Sequence, residues 1–254
     1  MLSSLTMSTS PSAPAQGQTL DFGRGIRFVF DDPDWVKKVL IGGCMMLLSI
    51  FIIGSLWLMG YWVRLIRRVA SGEDRPLPEW DDLGGMLVDG LKAAGVYLAY
   101  IFAFLIPLGG IALAVIILGG GVAHLTRDSE DAAQAVGALA GLGVMALYGV
   151  IWVVMLVLMV YLPAALTRFA LTLRFGAGFE FGENLSFIRR NLLNYVLALV
   201  LYLVGSFVAQ FGVLLCCIGV FPASFWALCM LGWGLGETAR RDAAPLAISV
   251  RPAP

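Results

Sequence analysis

The sequence predicts an all-α, polytopic helical membrane protein with about five apolar helical segments and short interfacial helices. Of its 254 residues, 59% are hydrophobic and 13% are charged, whereas about 25% of the residues in a soluble domain are charged. Asp, Glu, Lys and Arg are absent from four windows, at 39–63, 93–126, 132–167 and 191–236. A helix needs about 20 apolar residues to span the hydrocarbon core, so each window can hold one span and the last can hold two.

The two ends of the chain are predicted to be disordered tails around a single helical transmembrane domain. Residues 1–20 are rich in Ser, Thr, Pro, Ala and Gln and lack the long apolar core and basic start of a signal peptide. Such a composition is typical of disorder, and we predict the same for residues 242–254. The helical domain is therefore expected to cover residues 21–241.

Nine aromatic and basic residues at the ends of the windows are predicted to lie at the membrane surface. Trp favours the membrane–water boundary, and clusters of Lys and Arg favour the headgroup region, where they also set the orientation of the protein. The candidates for contact with lipid headgroups are Trp35, Lys37, Lys38, Arg64, Arg67, Arg68, Trp80, Arg189 and Arg190.

The first window has two possible paths. As one span it gives five spans, with five basic residues on one side and twelve on the other. As a re-entrant hairpin that turns near Ser49–Gly54, it leaves only Arg127 outside and sixteen basic residues inside, which agrees better with the positive-inside rule. Its uninterrupted apolar sequence favours a single span, and a turn at membrane depth must be buried by protein. Both paths place the 62–92 loop, the 168–190 loop and the C-terminus in the cytoplasm.

The remaining elements follow from periodicity and from helix-breaking residues. Residues 79–92 are predicted to form a short interfacial helix, because apolar residues recur there at helical spacing. The later elements are predicted as a span over 93–122 with a kink near Pro107, an acidic loop over 123–136, a span over 137–162, an aromatic and basic loop over 168–190, and two spans over 192–215 and 220–236.

A weak internal repeat precedes two of the windows. Residues 28–38 (FVFDDPDWVKK) and 179–190 (FEFGENLSFIRR) align when one residue is inserted, and each copy leads directly into an apolar window. Duplication is one interpretation of this match, and chance is the other. A hairpin in the first window would place both copies on the same side of the membrane.

Three stretches of the chain resemble one protein family. They are DDPDWVKKVLIGG at 31–43, GYWVRLIRRVASGEDRPLPEWDD at 60–82 and LLCCIG at 214–219. These stretches are similar to the DUF4013 family, a group of small prokaryotic membrane proteins with no assigned function. The resemblance extends roughly over 24–240 and is most specific over 31–92. It implies a prokaryotic inner membrane, and it brings no activity, no cofactor and no catalytic residues.

The sequence shows no catalytic, cofactor-binding or metal-binding constellation, and we expect the protein not to be an enzyme. Enzymes that work inside the bilayer need ionisable residues in their spans, and the four windows contain no Asp, Glu, Lys or Arg. The lone histidine, His124, has no partner in the pattern. The net charge is zero and no basic stripe stands apart from the membrane flanks, which argues against nucleic acid as a partner. The four cysteines, interpreted as small buried hydrophobic residues, are Cys44, Cys216, Cys217 and Cys229.

Two kinds of intramembrane feature have both a functional and a structural interpretation. Ser206 and Gln210 are one helical turn apart. They either line a polar path or form hydrogen bonds to a neighbouring helix, and the hydrogen bonds are the favoured prediction. The motifs Gly137-x3-Gly141 and Gly232-x3-Gly236 either mediate self-association or pack within the chain, and packing within the chain is the favoured prediction.

Two functions are consistent with these observations. The favoured hypothesis is a non-enzymatic accessory or scaffold protein of the cell membrane, which binds membrane lipids, a protein partner or further copies of itself. The alternative is a passive transporter or small channel, because Pro107–Gly110 is a possible helix break at the midplane. A polar cavity past Gln210 and Pro107 would favour transport, whereas a dry core would favour the accessory function.

Overall fold

The computed structural model describes residues 19–125, 130–214 and 218–242, and their regular structure is entirely helical. The helices are α1 (Phe22–Arg27), α2 (Trp35–Leu48), α3 (Ile53–Ala70), α4 (Leu83–Leu125), α5 (Glu130–Thr172), α6 (Phe181–Arg190), α7 (Leu192–Gln210) and α8 (Val220–Arg241). The predicted all-α class is confirmed. Apart from their inner ends, the predicted tails 1–20 and 242–254 lie outside the described residues.

The first apolar window does not form one continuous helix, because α2 and α3 are separated by a short 3₁₀ turn at Ser49–Phe51. Lys38, near the start of α2, and Arg68, near the end of α3, both donate hydrogen bonds to the carbonyl of Leu77, at 3.2 Å and 2.9 Å. The far ends of the two helices therefore lie together. The backbone therefore turns at Ser49–Phe51, within the region Ser49–Gly54 where the re-entrant hairpin is predicted to turn.

Ile52 closes this turn in a strained conformation. Its φ is +69°, in the left-handed region that β-branched residues rarely adopt. Its side chain is 74% exposed, so packing against the rest of the chain does not explain the strain. The turn is also tight, since a Cβ at Gly54 would overlap the carbonyl of Met45.

Helices α7 and α8 form a second hairpin at the C-terminal end of the described chain. The ion pair between Arg190 and Asp242, at 3.1 Å, joins the end of α6, directly before α7, to the end of α8. Along the hairpin the two backbones approach closely at glycines. A Cβ at Gly205 would lie 2.9 Å from that of Ala227. Both helices correspond to the spans predicted over 192–215 and 220–236.

The two hairpins pack into one core, in which α8 lies against both α2 and α3. Gly232 and Gly236 provide the close approach, because added Cβ atoms there would lie 3.0 Å from Trp62 and 2.7 Å from Val69 of α3. The prediction that this glycine motif packs within the chain is confirmed. The prediction is wrong for Gly137 and Gly141, around which there is open space.

The body formed by these hairpins has one apolar end and one charged end. Gly42 and Gly43 of α2 face Phe225 and Pro222 of α8, so α2 runs towards the turn that precedes α8. The two turns therefore lie at the same end, the apolar end. Its exposed apolar residues are Leu47, Leu48, Ile50, Phe51, Ile52, Ile53, Phe207, Phe211, Val213, Leu214 and Ile218. The charged end holds the ion pairs of Lys38, Arg68 and Arg190.

Helices α4 and α5 extend far beyond this body. Each has 43 residues and is therefore about 65 Å long, whereas the hydrocarbon core of a bilayer is about 30 Å thick. We call residues 102–125 and 130–157 the arm, and we call the rest of the described chain the body. The most apolar window of α4 has none of its residues buried, and that of α5 has 6% buried.

Only the first part of α4 packs closely on α3. A Cβ at Gly60 of α3 would overlap the carbonyl of Met86, and one at Gly90 would overlap the carbonyl of Leu56. These contacts show that α3 and the start of α4 run antiparallel with their backbones touching.

Within the described residues, three segments are long and apolar enough to cross a membrane, at Leu83–Leu118, Gln134–Thr172 and Leu192–Leu214. The predicted number of about five is not confirmed. Segment α2 is short, and α3 carries the three arginines of its last turns.

Several predicted boundaries are wrong, because charged residues near a window do not end a helix. The segment 79–92 is not a separate helix, since α4 begins at Leu83 and continues without a break through Pro107. The predicted acidic loop overlaps α5, which begins at Glu130. The predicted loop 168–190 contains the end of α5 and the whole of α6. No glycine or proline lies between Lys92 and Ala93 or near Glu130, and α5 continues through Pro163 to Thr172.

Candidate functional site

The charged end of the body is organised around the buried side chain of Lys38. Its ammonium nitrogen lies 2.8 Å from Asp32 Oδ2 and 2.5 Å from Glu79 Oε1. The side chains of Lys38 and Asp32 are only 4% and 3% exposed. Burial alone would lower the pKa of Lys38, but the hydrogen bonds to Asp32 and Glu79 outweigh it and hold the pKa above its ordinary value. Lys38 is therefore a charged ammonium.

Residues 73–80, which we call the strap, cross the end of the first hairpin above Lys38. Arg68 pairs with Glu73 at 2.5 Å and donates to the carbonyl of Leu77 at 2.9 Å. The indole N–H of Trp80 donates to the carbonyl of Lys38 at 3.1 Å, and its ring stacks on Tyr61 at a centroid distance of 4.5 Å. Leu77 and Pro78 are buried, which shows that the strap is packed rather than draped over the surface.

Next to the strap, Arg64 joins α3 to the beginning of α4. It pairs with Asp82 at 2.7 Å and with Asp89 at 3.3 Å. The hydrogen bond from Arg64 and the backbone N–H of Gly85 lower the pKa of Asp82 below its ordinary value. Asp82 also accepts the N–H of Gly85 at the start of α4, which is a typical N-terminal capping contact.

Glu237 is the centre of a second ionic cluster at the same end. Its carboxylate pairs with Arg240 at 2.6 Å and with Arg241 at 2.7 Å, and its side chain is nearly buried. Burial alone would raise its pKa, but the hydrogen bonds from the two arginines outweigh it, so the pKa lies below its ordinary value. Arg241 also donates to the carbonyl of Thr19, which fixes the chain that leads into α1.

A third cluster joins the body to the base of the arm. Arg168, at the end of α5, pairs with Glu180 at 2.5 Å and with Glu183 at 3.3 Å. The buried Asn184 of α6 donates to the carbonyl of Gly178, which also accepts the hydroxyl of Tyr100 from α4. The position of the arm relative to the body is thus fixed by α6 and the turn before it.

The structure divides the nine predicted headgroup residues into three groups. Lys37, Arg189 and Arg190 are exposed, and Lys38 is buried in internal ion pairs. The others are half-buried, namely Trp35, Arg64, Arg67, Arg68 and Trp80. Contact of these residues with lipid headgroups stays a prediction.

The two polar residues predicted inside a span do not share a buried path. Ser206 is half-buried, and Gln210 is exposed as the last residue of α7, beside the hairpin turn. Pro107 is exposed in the arm. Gln210 and Pro107 therefore both lie on the outer surface of the chain.

The two described cysteines differ in their exposure. Cys229 is buried as predicted, whereas Cys44 is exposed, so the interpretation is wrong for Cys44. Cys216 and Cys217 lie outside the described residues. Within the described ranges, no three or more His, Cys, Asp and Glu side chains form a group that could hold a metal ion.

Sequence reasoning missed the partners of the charged clusters. Asp32, Arg168 and Glu237 were not candidates, although each has a central ionic contact. One available signal was the position of Arg168 and Glu237, because each directly follows a charge-free window. A charge there must either reach the headgroups or find a partner of opposite charge.

The fold and these clusters define a helical protein with segments able to cross a membrane and a charged end stabilised by ion pairs. The family model of DUF4013, described as a protein of unknown function, matches residues 44–218. This match covers more than half of the chain, and the chain belongs to the DUF4013 family. No curated protein and no solved structure matches it.

Proposed function

We propose that the protein is a non-enzymatic accessory or scaffold protein of the cell membrane. The body is anchored in one leaflet by its two hairpin turns, and the arm crosses the bilayer. The charged end faces the cytoplasm, where it meets lipid headgroups and is accessible to a protein partner. The observation that carries this proposal is the division of the chain into a body with a charged and an apolar end and an apolar arm that the body does not cover.

Exposed apolar surface of this extent requires a non-aqueous environment. Soluble monomers rarely expose contiguous apolar patches larger than a few hundred Å². Here nearly every described side chain of the arm is apolar, and both hairpin turns expose large aliphatic and aromatic residues. Acyl chains cover such surfaces without the need for a specific partner.

The proposed topology follows from the two hairpins. If both return to the side from which they enter, then only the connection between α4 and α5 lies on the far side. Arg127 is the single basic residue of that connection, and the other sixteen basic residues are on the near side. The positive-inside rule assigns the near side to the cytoplasm.

The chemistry of the charged end supports a structural rather than a catalytic role. Lys38, Arg168 and Glu237 are each held in ion pairs with groups of opposite charge. Catalytic acids and bases are instead positioned so that they can exchange a proton with a bound substrate. We therefore propose that these clusters fix the ends of the helices.

A passive transporter or small channel, formed by one or several copies of the chain, is the alternative. Gln210 and Pro107, the residues past which a transport path was predicted, lie on the outer surface. A solute path beside them therefore requires an interface between copies. A flux assay with liposomes of phosphatidylethanolamine and phosphatidylglycerol tests this alternative. We expect the release of trapped ions and small solutes to equal that from protein-free liposomes. A leak that increases with protein content and falls in Gln210→Leu would instead establish a pore.

Lipid contact is tested directly by quenching with nitroxide-labelled lipids. Single cysteines at Phe51 and Leu214, in a background without native cysteines, would carry a fluorescent label at the two hairpin turns. We expect nitroxides on the acyl chains to quench both labels more strongly than a label at Asp81. Equal quenching at the three positions would contradict insertion of the apolar end.

A further inference from the structure

The strap places two exposed carboxylates on two cations of the first hairpin. Glu79 pairs with Lys38, and Glu73 pairs with Arg68. The side chains of Glu79 and Glu73 are 52% and 43% exposed, whereas Asp32, the other partner of Lys38, is buried. The two strap carboxylates are therefore the replaceable members of the cluster.

The charges of the cluster match an anion once the two strap glutamates are displaced. Lys38, Arg68, Asp32, Glu73 and Glu79 together carry one net negative charge. Without the two glutamates, one net positive charge remains, which complements the single negative charge of a phosphodiester. The two cations are also close together, because both donate to the carbonyl of Leu77.

An unpartnered buried hydroxyl under the strap is an independent observation. Tyr61 is 1% exposed, and its Oη has no hydrogen-bond partner, although its ring stacks directly on Trp80 of the strap. A buried hydroxyl without a partner is rare and calls for an explanation. A phosphate oxygen in the place of the strap carboxylates would be an acceptor for it.

The surroundings favour a lipid as the source of the phosphate. Val36 and Leu40 lie one turn apart on the outer face of α2, on the other side of the helix from the buried Lys38, and both are exposed apolar residues. Acyl chains that lie along this face would hold a headgroup at the end of the hairpin. A free phosphate ion would gain nothing from these apolar contacts.

We propose that Lys38, Arg68 and Tyr61 form a binding site for the phosphodiester of an anionic phospholipid, and that Glu73 and Glu79 of the strap occupy it in the free state. This inference rests on the proposed function, since it requires the charged end to lie among headgroups. Water screens exposed ion pairs and makes them weak, so a lipid phosphate can replace the two glutamates. Arginine is well suited to phosphate because its guanidinium donates two parallel hydrogen bonds.

The experiment measures the phosphatidylglycerol retained by the full-length protein in detergent, by native mass spectrometry. The double variant Glu73→Gln, Glu79→Gln removes the strap carboxylate from both cations and should retain more lipid than the unmodified protein, by about fivefold for each carboxylate removed. The matched control is Asp74→Asn, Asp81→Asn, which changes the net charge equally but removes no partner of Lys38 or Arg68. The further substitution Arg68→Gln should return the double variant to the level of the control.

Three results would overturn the site. Equal retention by the double variant and the control would show that only net charge matters. Undiminished retention after Arg68→Gln would place the lipid elsewhere, provided that the melting temperature shows a folded protein. Loss of the bound lipid to an equal concentration of inorganic phosphate would show that free phosphate is the ligand. The quenching and flux assays are independent of these variants, so a failure of this site is distinguishable from a failure of the proposed function.

Discussion

The body and the arm have similar helical sequences but are stabilised by different surroundings. In the body, large side chains such as Tyr61, Phe169 and Phe225 are fully buried by other parts of the chain. In the arm, equally apolar helices bury almost nothing. Hydrophobicity alone therefore does not tell whether a membrane helix packs on protein or on lipid. The difference is carried by glycines at close backbone contacts and by ion pairs at the helix ends.

The largest expected effect is the difference in stability between substitutions at two glycines of α4. Gly90 of α4 touches the backbone of α3, and an added Cβ would overlap the carbonyl of Leu56, whereas nothing lies within 4 Å of a Cβ at Gly110. Gly90→Ala should lower the free energy of unfolding by about 3 kcal/mol. Gly110→Ala should leave it unchanged or raise it by up to about 1 kcal/mol. Thermal unfolding in detergent measures both, and equal effects would mean that α4 does not pack on α3 as described.

The effect of a new charge should differ between the apolar arm and the charged end. Val150 in the arm and Val36 beside Lys37 are both 50% exposed. Val150→Lys should reduce membrane insertion by about 2.5–3.5 kcal/mol, the cost of a lysine at the centre of a span. Val36→Lys should insert normally, because its ammonium reaches the headgroups. Protease protection in membrane vesicles measures insertion, and normal insertion of Val150→Lys would argue that the arm is not in lipid.

Removing the central carboxylate of the second cluster should weaken the body. Glu237→Gln leaves Arg240 and Arg241 without their carboxylate partner, and should lower the free energy of unfolding by about 1–3 kcal/mol at neutral pH. Because the pKa of Glu237 is lowered in the folded protein, its contribution is present above its ordinary value of 4.5 and is lost as the pH falls through the lowered pKa. Melting temperatures of the variant and the unmodified protein should therefore converge in acid. A difference that stays constant down to pH 3 would contradict this ionic contribution.

The smallest expected effect is a gain in stability at the first hairpin turn. Ile52→Gly relieves the positive φ and should raise the free energy of unfolding by about 1 kcal/mol. Ile53→Gly, in the first turn of α3, should lower it by about 1 kcal/mol because glycine weakens a helix. Denaturant titration compares the two variants. A loss of stability in Ile52→Gly would show that its side chain contributes more than the strain costs.

The sequence predicted the segments better than their ends. Charge-free windows located every long apolar helix, and the distribution of basic residues indicated a turn near Ser49–Gly54, where α2 and α3 separate. The ends of α4 and α5 were missed, because no glycine or proline stops a helix between Lys92 and Ala93 or near Glu130. Polarity marks the membrane boundary, whereas helix ends depend on backbone and capping contacts.

The site was predictable only in part. Lys38 and Arg68 were candidates because basic residues gather beside the windows. Their partners depend on how the strap folds back over the hairpin, since Glu79 is 41 residues from Lys38 in the sequence. Pairings over such distances are set by tertiary structure and leave no local pattern.

The most direct test of the double-hairpin body is to determine on which side of the membrane three positions lie. Single cysteines at Asp31, Asp81 and Ser129 would be labelled with a membrane-impermeant reagent in intact cells and in permeabilised cells. The account predicts labelling of Ser129→Cys in intact cells, and labelling of Asp31→Cys and Asp81→Cys only after permeabilisation. Labelling of Asp31→Cys in intact cells would mean that the first window crosses the membrane, and would contradict the double-hairpin body.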